Sequence, residues 1–334
     1  MFKDFDKERI NFKQALVLAL VSVLTSFISS LLGPANLLLS LLPMAACAGA
    51  IAALIHFECD RCKVLKIIVP VCAIALDWIF NGFHSLCGVL VVVLALMIFL
   101  LYEQKWPKLE GALVMSLASA GMIALILIAI GATNNQGLSV AEFYAKMLEE
   151  LKVEYLNYYN EVYLPLYEEY GVEALSSEDI LYVLDLVVGI IVSMLFIAGF
   201  AMVGVACKIY SYVLKKCGAD NDRLKNWRFI PTRVYAYFYV ALELVTMFLG
   251  SELTTFNLTV INLSTIFMVV FWYMGLVAIG KFLSERKKRG MPVALTLICS
   301  VFISIAFPRI FSYVGVFYCI VISKIQKLNN TSEE

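Results

Sequence analysis

The sequence predicts an all-α integral membrane protein with about ten transmembrane helices. Of its 334 residues 62% are hydrophobic and only 16% are charged, and the mean hydropathy is +0.86. Soluble chains carry roughly 45–50% apolar and about 25% charged residues. The apolar residues also form long blocks, and about 20 consecutive apolar residues in a helix cross a bilayer. The composition therefore excludes a soluble enzyme of one or two domains.

The apolar blocks predict ten spans, with eight as the alternative. They are 14–32, 35–54, 66–82, 86–102, 110–131, 181–207, 233–250, 258–280, 292–307 and 310–323. Gly33-Pro34 predicts a tight turn between the first two spans. The last two are separated by Pro308-Arg309 and reach only about 21–24 Å at about 1.5 Å per residue. They form either thin spans or a hairpin that does not fully cross.

The basic residues predict that both termini face the cytoplasm. Lys and Arg accumulate in cytoplasmic loops, and with the N-terminus inside only Lys146, Lys152 and Arg309 of the 26 basic residues fall elsewhere. The chain then divides into five parts. They are a cytoplasmic N-terminus (1–13), a five-helix membrane half (14–131), an extracellular helical insertion (132–180), a second five-helix half (181–325) and a cytoplasmic tail (326–334).

The insertion predicts an amphipathic helix outside the membrane. Ser139-Val140-Ala141-Glu142 has the pattern of a capping box, which begins a helix, and Pro165 is expected to bend or end it. The segment 132–180 holds ten acidic and two basic residues. It is also rich in tyrosine, at positions 144, 155, 158, 159, 163, 167 and 170.

Two interpretations of this insertion stay open. It is a helix at the headgroup boundary, where tyrosine is favoured, or else a lid over a substrate entrance or a docking surface for another protein. An acidic face binds an anionic lipid surface poorly. The second interpretation therefore favours contact with protein or with cations outside the membrane.

Two carboxylates lie within predicted spans, Asp77 in the third and Glu243 in the seventh. Both are expected about 15–17 Å from the inner ends of their helices, and Asn81 and His84 follow Asp77 on the same helical face. An ionisable group in a span is expensive, which favours a cavity whose carboxylates bind a cationic or amine-bearing solute or carry protons. In the alternative, each acid is protonated or paired on a neighbouring helix and fixes packing.

Small residues recur at four-residue spacing in two spans. Ala15 and Ala19 open the first span, and Ala112, Ser116, Ala120 and Ala124 line one face of the fifth. Such faces let helices approach closely. The expected use is packing within this chain, and the alternative is docking of a separate membrane subunit.

Several kinds of chemistry are not expected. His56, Cys59, Cys62 and Cys217 are soft enough to hold zinc, but their spacing is loose, and we expect no metal site and no cofactor. The sequence lacks a P-loop, an HExxH motif and a GxSxG elbow, so no catalytic residue is predicted. The basic loops determine topology and contact anionic lipids, and nucleic-acid binding is not expected.

The arrangement resembles the YybS-like family of uncharacterised polytopic membrane proteins of Gram-positive bacteria. The resemblance rests on the order of the membrane halves around a long external insertion, and on the cytoplasmic linker Trp227-Arg228-Phe229-Ile230-Pro231. The N-terminal half is also similar to the substrate-binding subunits of energy-coupling-factor vitamin transporters. Those subunits dock their energising subunit through an Ala-x-x-x-Ala face, which Ala15 and Ala19 match.

The sequence therefore predicts a multi-pass protein of the bacterial cell membrane with transport-like architecture and no enzymatic activity. A small solute, cationic in one version, would bind near Asp77 and Glu243 without an ATPase in the chain itself. The alternative is a membrane scaffold for cell-envelope assembly or morphogenesis. The expected partners are the lipid bilayer, the solute, and either a membrane coupling subunit with its ATPases or envelope-assembly proteins.

Overall fold

The computed structural model describes residues 10–32, 37–58, 63–82, 85–134, 137–171, 173–218, 231–250, 252–287, 300, 302–304 and 306–331. Every regular element within these ranges is a helix, which confirms the all-α prediction. The chain divides into two compact units, Met1–Trp227 and Arg228–Glu334.

The first unit contains the five N-terminal helices, the insertion and one further long helix. The N-terminal helices are α1 (Phe12–Leu32), α2 (Leu37–His56), α3 (Leu65–Asn81), α4 (Cys87–Glu103) and α5 (Lys108–Asn134). The segment between α5 and the long helix forms α6 (Val140–Tyr158), a π-helical turn (Tyr159–Tyr163), α7 (Leu164–Tyr170) and α8 (Ser177–Gly189), so its last helix extends past the predicted end of the insertion at residue 180. The long helix α9 (Ile191–Lys216) follows.

Small residues set the packing of α1. Its buried face is formed by Ala15, Leu18, Ala19, Ser22, Ser26, Ser29 and Ser30, and this face packs mainly against α2 and α3. Leucines on the other side, such as Leu16, Leu20 and Leu24, are exposed. Small side chains on one face and large apolar ones on the other are typical of a helix that packs within a bundle and contacts lipid.

Glycines bring α9 close to two other helices. A Cβ added at Gly49 of α2 would lie 2.6 Å from the Ala206 carbonyl oxygen of α9. One added at Gly199 of α9 would lie 2.7 Å from the Ser116 carbonyl oxygen of α5. The small-residue face of α5 is therefore used for packing inside this unit.

The second unit contains α10 (Arg233–Met247), α11 (Thr255–Lys287) and α12 (Pro308–Thr331). The α11 and α12 backbones touch at Gly275 and Gly315, where an added Cβ would collide with the carbonyl oxygens of Phe311 and Phe271 respectively. Ala236 and Tyr239 of α10 complete a buried cluster with Phe271, Met274, Val316 and Cys319.

Five helices in the described residues are long and apolar enough to cross a membrane: α1, most of α2, α5, α9 and Thr255–Leu283 of α11. The chain is therefore a helical membrane protein. Ten spans and the N-in/C-in orientation stay predictions, because α4 and the apolar part of α12 are shorter. Residues 292–299 of the predicted ninth span lie outside the described residues.

The sixth predicted span, 181–207, is not one continuous helix. Helix α8 ends at Gly189 and α9 begins at Ile191, with Ile190 at φ −93° and ψ 9° between them. Glycine is a weak helix former, which favours the break at this point. The segment long enough to span is Ile191–Lys216.

Candidate functional site

Asp77 is buried and fully hydrogen-bonded in the first unit. The Ser85 hydroxyl lies 2.8 and 2.9 Å from its two carboxylate oxygens. The Asn81 amide donates to Oδ1 at 3.0 Å, and the Gly88 backbone N–H donates to Oδ2 at 2.8 Å. The carboxylate therefore has donors for both of its oxygens within the α3–α4 connection.

The local sequence explains this arrangement. Gly82 has φ +81° and ends α3, a backbone conformation that glycine adopts without strain. The chain then returns so that Gly88, in the first turn of α4, faces α3. A Cβ at Gly88 would lie 2.8 Å from the Ala73 carbonyl oxygen, so glycine permits the close approach that brings its N–H to Asp77.

The geometry of Asp77 resembles a helix cap. A carboxylate at a helix N-terminus is stabilised by the free N–H groups and by the helix dipole. Asn81 extends the network by donating to the Ser30 carbonyl oxygen of α1 at 3.2 Å. The structure thus brings together Asp77 and Asn81, while His84 lies outside the described residues. Ser85 and Gly88 were not predicted as partners of Asp77, because no pattern in a single sequence pairs them with it.

Glu243 occupies a comparable place in the second unit. Its carboxylate accepts a hydrogen bond from the Ser264 hydroxyl and another from the Tyr313 hydroxyl at 3.2 Å. Arg309 Nε lies 3.8 Å away, and the Arg309 side chain is 70% exposed whereas that of Glu243 is 5% exposed. Helix α10 ends only four residues later at Met247. Glu243, like Asp77, thus lies one turn from the end of its helix.

The two alanines proposed for partner docking face the interior. Ala15 is fully buried and Ala19 nearly so, and their helix packs mainly against α2 and α3. Docking of another subunit on this face stays a prediction, and it would require α1 to separate from its neighbours.

Of the four residues considered as soft metal ligands, His56 is the one whose contacts the structure describes in most detail. Its Nδ1 lies 3.1 Å from Glu103 Oε1 and 3.2 Å from the Tyr210 hydroxyl. The Phe57, Phe99, Tyr102 and Tyr210 rings surround it. Cys59 and Cys62 lie outside the described residues, within which no cluster of metal ligands occurs.

The segment between α5 and α9 forms a small helical module (residues 137–190, with 172 outside the described residues), which we call the external module after its predicted location outside the membrane. The predicted capping box joins Ser139 and Glu142 at the start of α6. The Tyr144 hydroxyl donates to the Leu127 carbonyl oxygen and thereby fixes α6 against the end of α5. Lys152 of α6 lies 2.7 Å from Asp185 of α8. These contacts hold the module to the membrane helices and its own helices to each other.

A tyrosine-lined cleft lies between α6–α7 and α8 of the external module. It encloses about 370 Å³ and is lined by Tyr155, Tyr159, Tyr163, Tyr167, Leu175, Ile180, Val183, Leu184 and Val187. The Tyr159 hydroxyl accepts from the Leu175 N–H at 2.9 Å, which joins the π-helical turn to the segment before α8. Spacing of four between the tyrosines was visible in the sequence, but the α8 wall was not.

The π-helical turn keeps the tyrosines on one face. Pro165 lacks an N–H and clashes with the preceding turn of an α-helix, and the chain accommodates it by widening at Tyr159–Tyr163. Side chains four residues apart move gradually around the axis of an α-helix, because one turn holds only 3.6 residues. The wider π-helical turn moves them back toward the same face. π-Helical turns of this kind are frequent at functional sites.

The opposite face of α6 is acidic. An open groove of about 420 Å³ is lined by Glu149, Glu150, Val153, Glu154 and Asn157. Hydrogen bonds from Lys152 to Asp185 and Glu149 raise the pKa of the Lys152 ammonium. Hydrogen bonds to Ser139 lower the pKa of Glu142. The module therefore presents negative charge on the face of α6 opposite the aromatic cleft.

Comparison with protein-family models, with curated proteins and with solved structures gave no match to this chain. The resemblances to YybS-like proteins and to energy-coupling-factor substrate subunits therefore stay predictions. What is defined is the class: a helical membrane protein with a structured helical module inserted between its apolar helices.

Proposed function

We propose that this protein is a membrane scaffold whose external module docks a basic, partly apolar segment of a partner protein. The tyrosine-lined cleft between α6–α7 and α8 is the observation that carries this proposal. The cleft favours the envelope-assembly hypothesis. The intramembrane solute hypothesis is less favoured, because Asp77 and Glu243 already have hydrogen-bond partners within the chain.

The chemistry of the cleft suits such a partner. Binding sites for small groups typically enclose about 300–1,000 Å³ and are mainly apolar with a few polar groups. The cleft meets this description, since four tyrosine rings face five aliphatic side chains. Tyrosine faces attract cations as well as apolar groups, so a lysine or arginine beside an apolar residue would fit.

The charge of the module points to the same partner. The acidic groove formed by Glu149, Glu150 and Glu154 lies on the other face of the helix that carries the tyrosines. A field of one sign speeds the encounter with an oppositely charged partner. An acidic partner would be repelled, and so would an anionic membrane surface.

Peptide binding to the purified protein in neutral nanodiscs tests this proposal. A labelled peptide of alternating lysine and leucine should bind, and its glutamate counterpart should not. Tyr163→Ala should weaken binding about two- to tenfold, because one aromatic contact contributes about 0.5–1.5 kcal/mol. Tyr170→Ala is the matched control, since Tyr170 is 74% exposed and lies outside the cleft lining. Equal losses in the two variants would contradict the proposal.

A second candidate function is solute binding or proton coupling at Glu243. It is favoured by the loose pairing of a buried carboxylate with the exposed Arg309 at 3.8 Å, a distance longer than a hydrogen bond. A cationic solute could replace Arg309 there. Uptake or binding that Glu243→Gln abolishes while the protein still folds would support this candidate, and an unchanged phenotype would contradict it.

The remaining predictions are part of these two proposals. A location in the bacterial cell membrane and the absence of enzymatic activity fit both. Docking of an energy-coupling subunit through Ala15 and Ala19 belongs to the solute hypothesis. Loss of co-purifying ATPases on Ala15→Trp, with the protein otherwise intact, would support it.

A further inference from the structure

Arg233 presents an unusual pair of polar atoms in the second unit. Its Nε and Nη2 are buried, and neither has a hydrogen-bond partner in the part of the chain that the structure describes. These two nitrogens form one edge of the guanidinium group, the edge that binds two oxygens of a carboxylate or phosphate side by side. A buried charged donor without an acceptor is costly, so an acceptor beside this edge is expected from outside the residues that the structure describes.

A second unpartnered group lies at the same end of this unit. The Tyr318 hydroxyl is also buried without a partner among the described residues, and its ring lies 5.3 Å from Lys281 Nζ. Lys281 and Arg233 supply positive charge, and the Tyr318 hydroxyl supplies one more hydrogen-bond donor.

Helix register places Arg233 and Tyr318 at one level. Glu243 of α10 contacts Arg309 of α12, and Tyr239, one turn earlier in α10, contacts Ser312. Residue numbers therefore fall along α10 as they rise along α12. Two further turns bring α10 to its first residue, Arg233, and α12 to the region of Tyr318 and Cys319. Ala236 and Cys319 share one buried cluster, against which Tyr318 packs.

The position of Arg233 in its helix adds to this argument. It is the first residue of α10, and no side chain caps this helix at Thr232. Free N–H groups and the helix dipole make a helix N-terminus electropositive. A cationic side chain at an electropositive helix N-terminus is unfavourable unless an anion lies next to both the side chain and the free N–H groups.

The neighbouring residues indicate which source supplies the anion. Val234, Tyr237 and Phe238 follow Arg233 and are exposed apolar or aromatic side chains, as expected where a helix enters lipid. Arg233 therefore lies where the helix meets the headgroup region, and the nearest abundant acceptors there are lipid phosphates.

We propose that Arg233, Tyr318 and Lys281 form a binding site for the phosphate group of an anionic lipid headgroup at the end of the α10–α12 unit. The Arg233 edge binds two phosphate oxygens, the Tyr318 hydroxyl donates to the headgroup, and Lys281 neutralises the remaining charge. This site is separate from the external module and does not depend on its function.

Lipid titration of the full-length protein in mild detergent tests the proposal. Phosphatidylglycerol should raise the melting temperature and be retained in native mass spectra. Arg233→Gln should lower the affinity for this lipid about tenfold or more, since charge-assisted hydrogen bonds are lost. Arg233→Lys should also weaken binding, because lysine keeps the charge but lacks the planar edge. Lys215→Gln is the control, because Lys215 is exposed in the other unit and this substitution also removes one positive charge.

Two further additions distinguish the sources of phosphate. Phosphatidylcholine tests whether the phosphodiester of a lipid without net charge suffices, and inorganic phosphate tests a free anion. Stabilisation by phosphatidylglycerol alone assigns the site to anionic lipid, and equal Arg233-dependent stabilisation by inorganic phosphate assigns it to a soluble phosphate group instead. If Arg233→Gln fails to fold, Tyr318→Phe removes only a hydroxyl and should still weaken lipid binding severalfold. Unchanged affinity in Arg233→Lys and Tyr318→Phe would overturn the proposal.

Discussion

The Asp77 carboxylate accepts a hydrogen bond from the Gly88 backbone N–H at 2.8 Å, and this contact joins the end of α3 to the first turn of α4. Gly88 contributes to this contact in two ways. Gly88 supplies the donor, and its missing side chain lets the two helices approach closely enough for the donor to reach. Asp77 therefore acts on the stability of this helix pair.

Gly88→Ala should destabilise the protein by about 1–3 kcal/mol, as overpacking does. The added Cβ would lie 2.8 Å from both the Ala73 carbonyl oxygen and the Ile74 Cα. Gly121→Ala is the control, since nothing lies within 4 Å of a Cβ at that position, and alanine is the better helix former by about 1 kcal/mol. Thermal unfolding in detergent should show opposite shifts. A neutral Gly88→Ala would contradict the close approach.

Asp77→Asn should lower stability by about 1–3 kcal/mol, because its amide group cannot accept all the hydrogen bonds that the carboxylate accepts. Combining it with Ser85→Ala in a double-mutant cycle should show coupling, since the Ser85 hydroxyl lies within 2.9 Å of both Asp77 oxygens. Loss of a transport or binding phenotype with undiminished stability would instead favour the solute hypothesis.

Gly315→Ala should be among the most damaging single changes in the second unit. The new Cβ would collide with the Phe271 carbonyl oxygen, which is backbone and cannot rotate away. Gly204→Ala in α9 is the matched control, because its Cβ would meet nothing within 4 Å. Yield of monodisperse protein and its melting temperature measure the difference. Equal behaviour of the two variants would contradict the α11–α12 contact.

Acid should loosen the start of α6. The pKa of Glu142 is lowered from 4.5 by its hydrogen bonds to Ser139, so its contribution to stability is present above the ordinary pKa. That contribution is lost as the pH falls through the lowered pKa. Hydrogen exchange at residues 140–145, corrected for its intrinsic pH dependence, should therefore accelerate in acid. Ser139→Ala should remove this pH dependence, and an unchanged profile in that variant would contradict it.

Epitope insertion tests the predicted orientation. Gly137 and Gly218 are turn glycines with positive φ, and no atom lies within 4 Å of a Cβ at either, so both should tolerate an insertion. A tag after Gly137 should be labelled on intact cells, whereas one after Gly218 should need permeabilisation. The reverse result would invert the topology.

Local patterns in the sequence predicted local structure well. The predicted capping box at Ser139–Glu142 is present, and Pro165 follows a widened helical turn. Each of these signals acts between residues that are neighbours in the chain. The predicted sixth span was wrong in part, because hydropathy does not reveal a break between two apolar helices at Ile190.

Long-range relationships could not be predicted in this way. Asp77 and Glu243 stood out in the sequence as ionisable residues within apolar segments, and both are buried in the structure. The sequence did not reveal that Gly88 and Ser264 donate to them, because donors become neighbours only when helices pack. The tyrosine spacing was equally visible, whereas the cleft exists only because Lys152–Asp185 and Tyr159–Leu175 hold α8 against the tyrosine face.

The sequence by itself determined that this is a helical membrane protein, since hydropathy over a helix length sets the cost of leaving water. It also determined where α6 begins, because the cap at Ser139 satisfies free N–H groups within one turn. Only the tertiary structure decided which groups contact Asp77 and Glu243 and which side chains line the cleft beside the tyrosines. Whether a polar group is paired or unpaired depends on which helices pack together, and that information is not contained in any single segment.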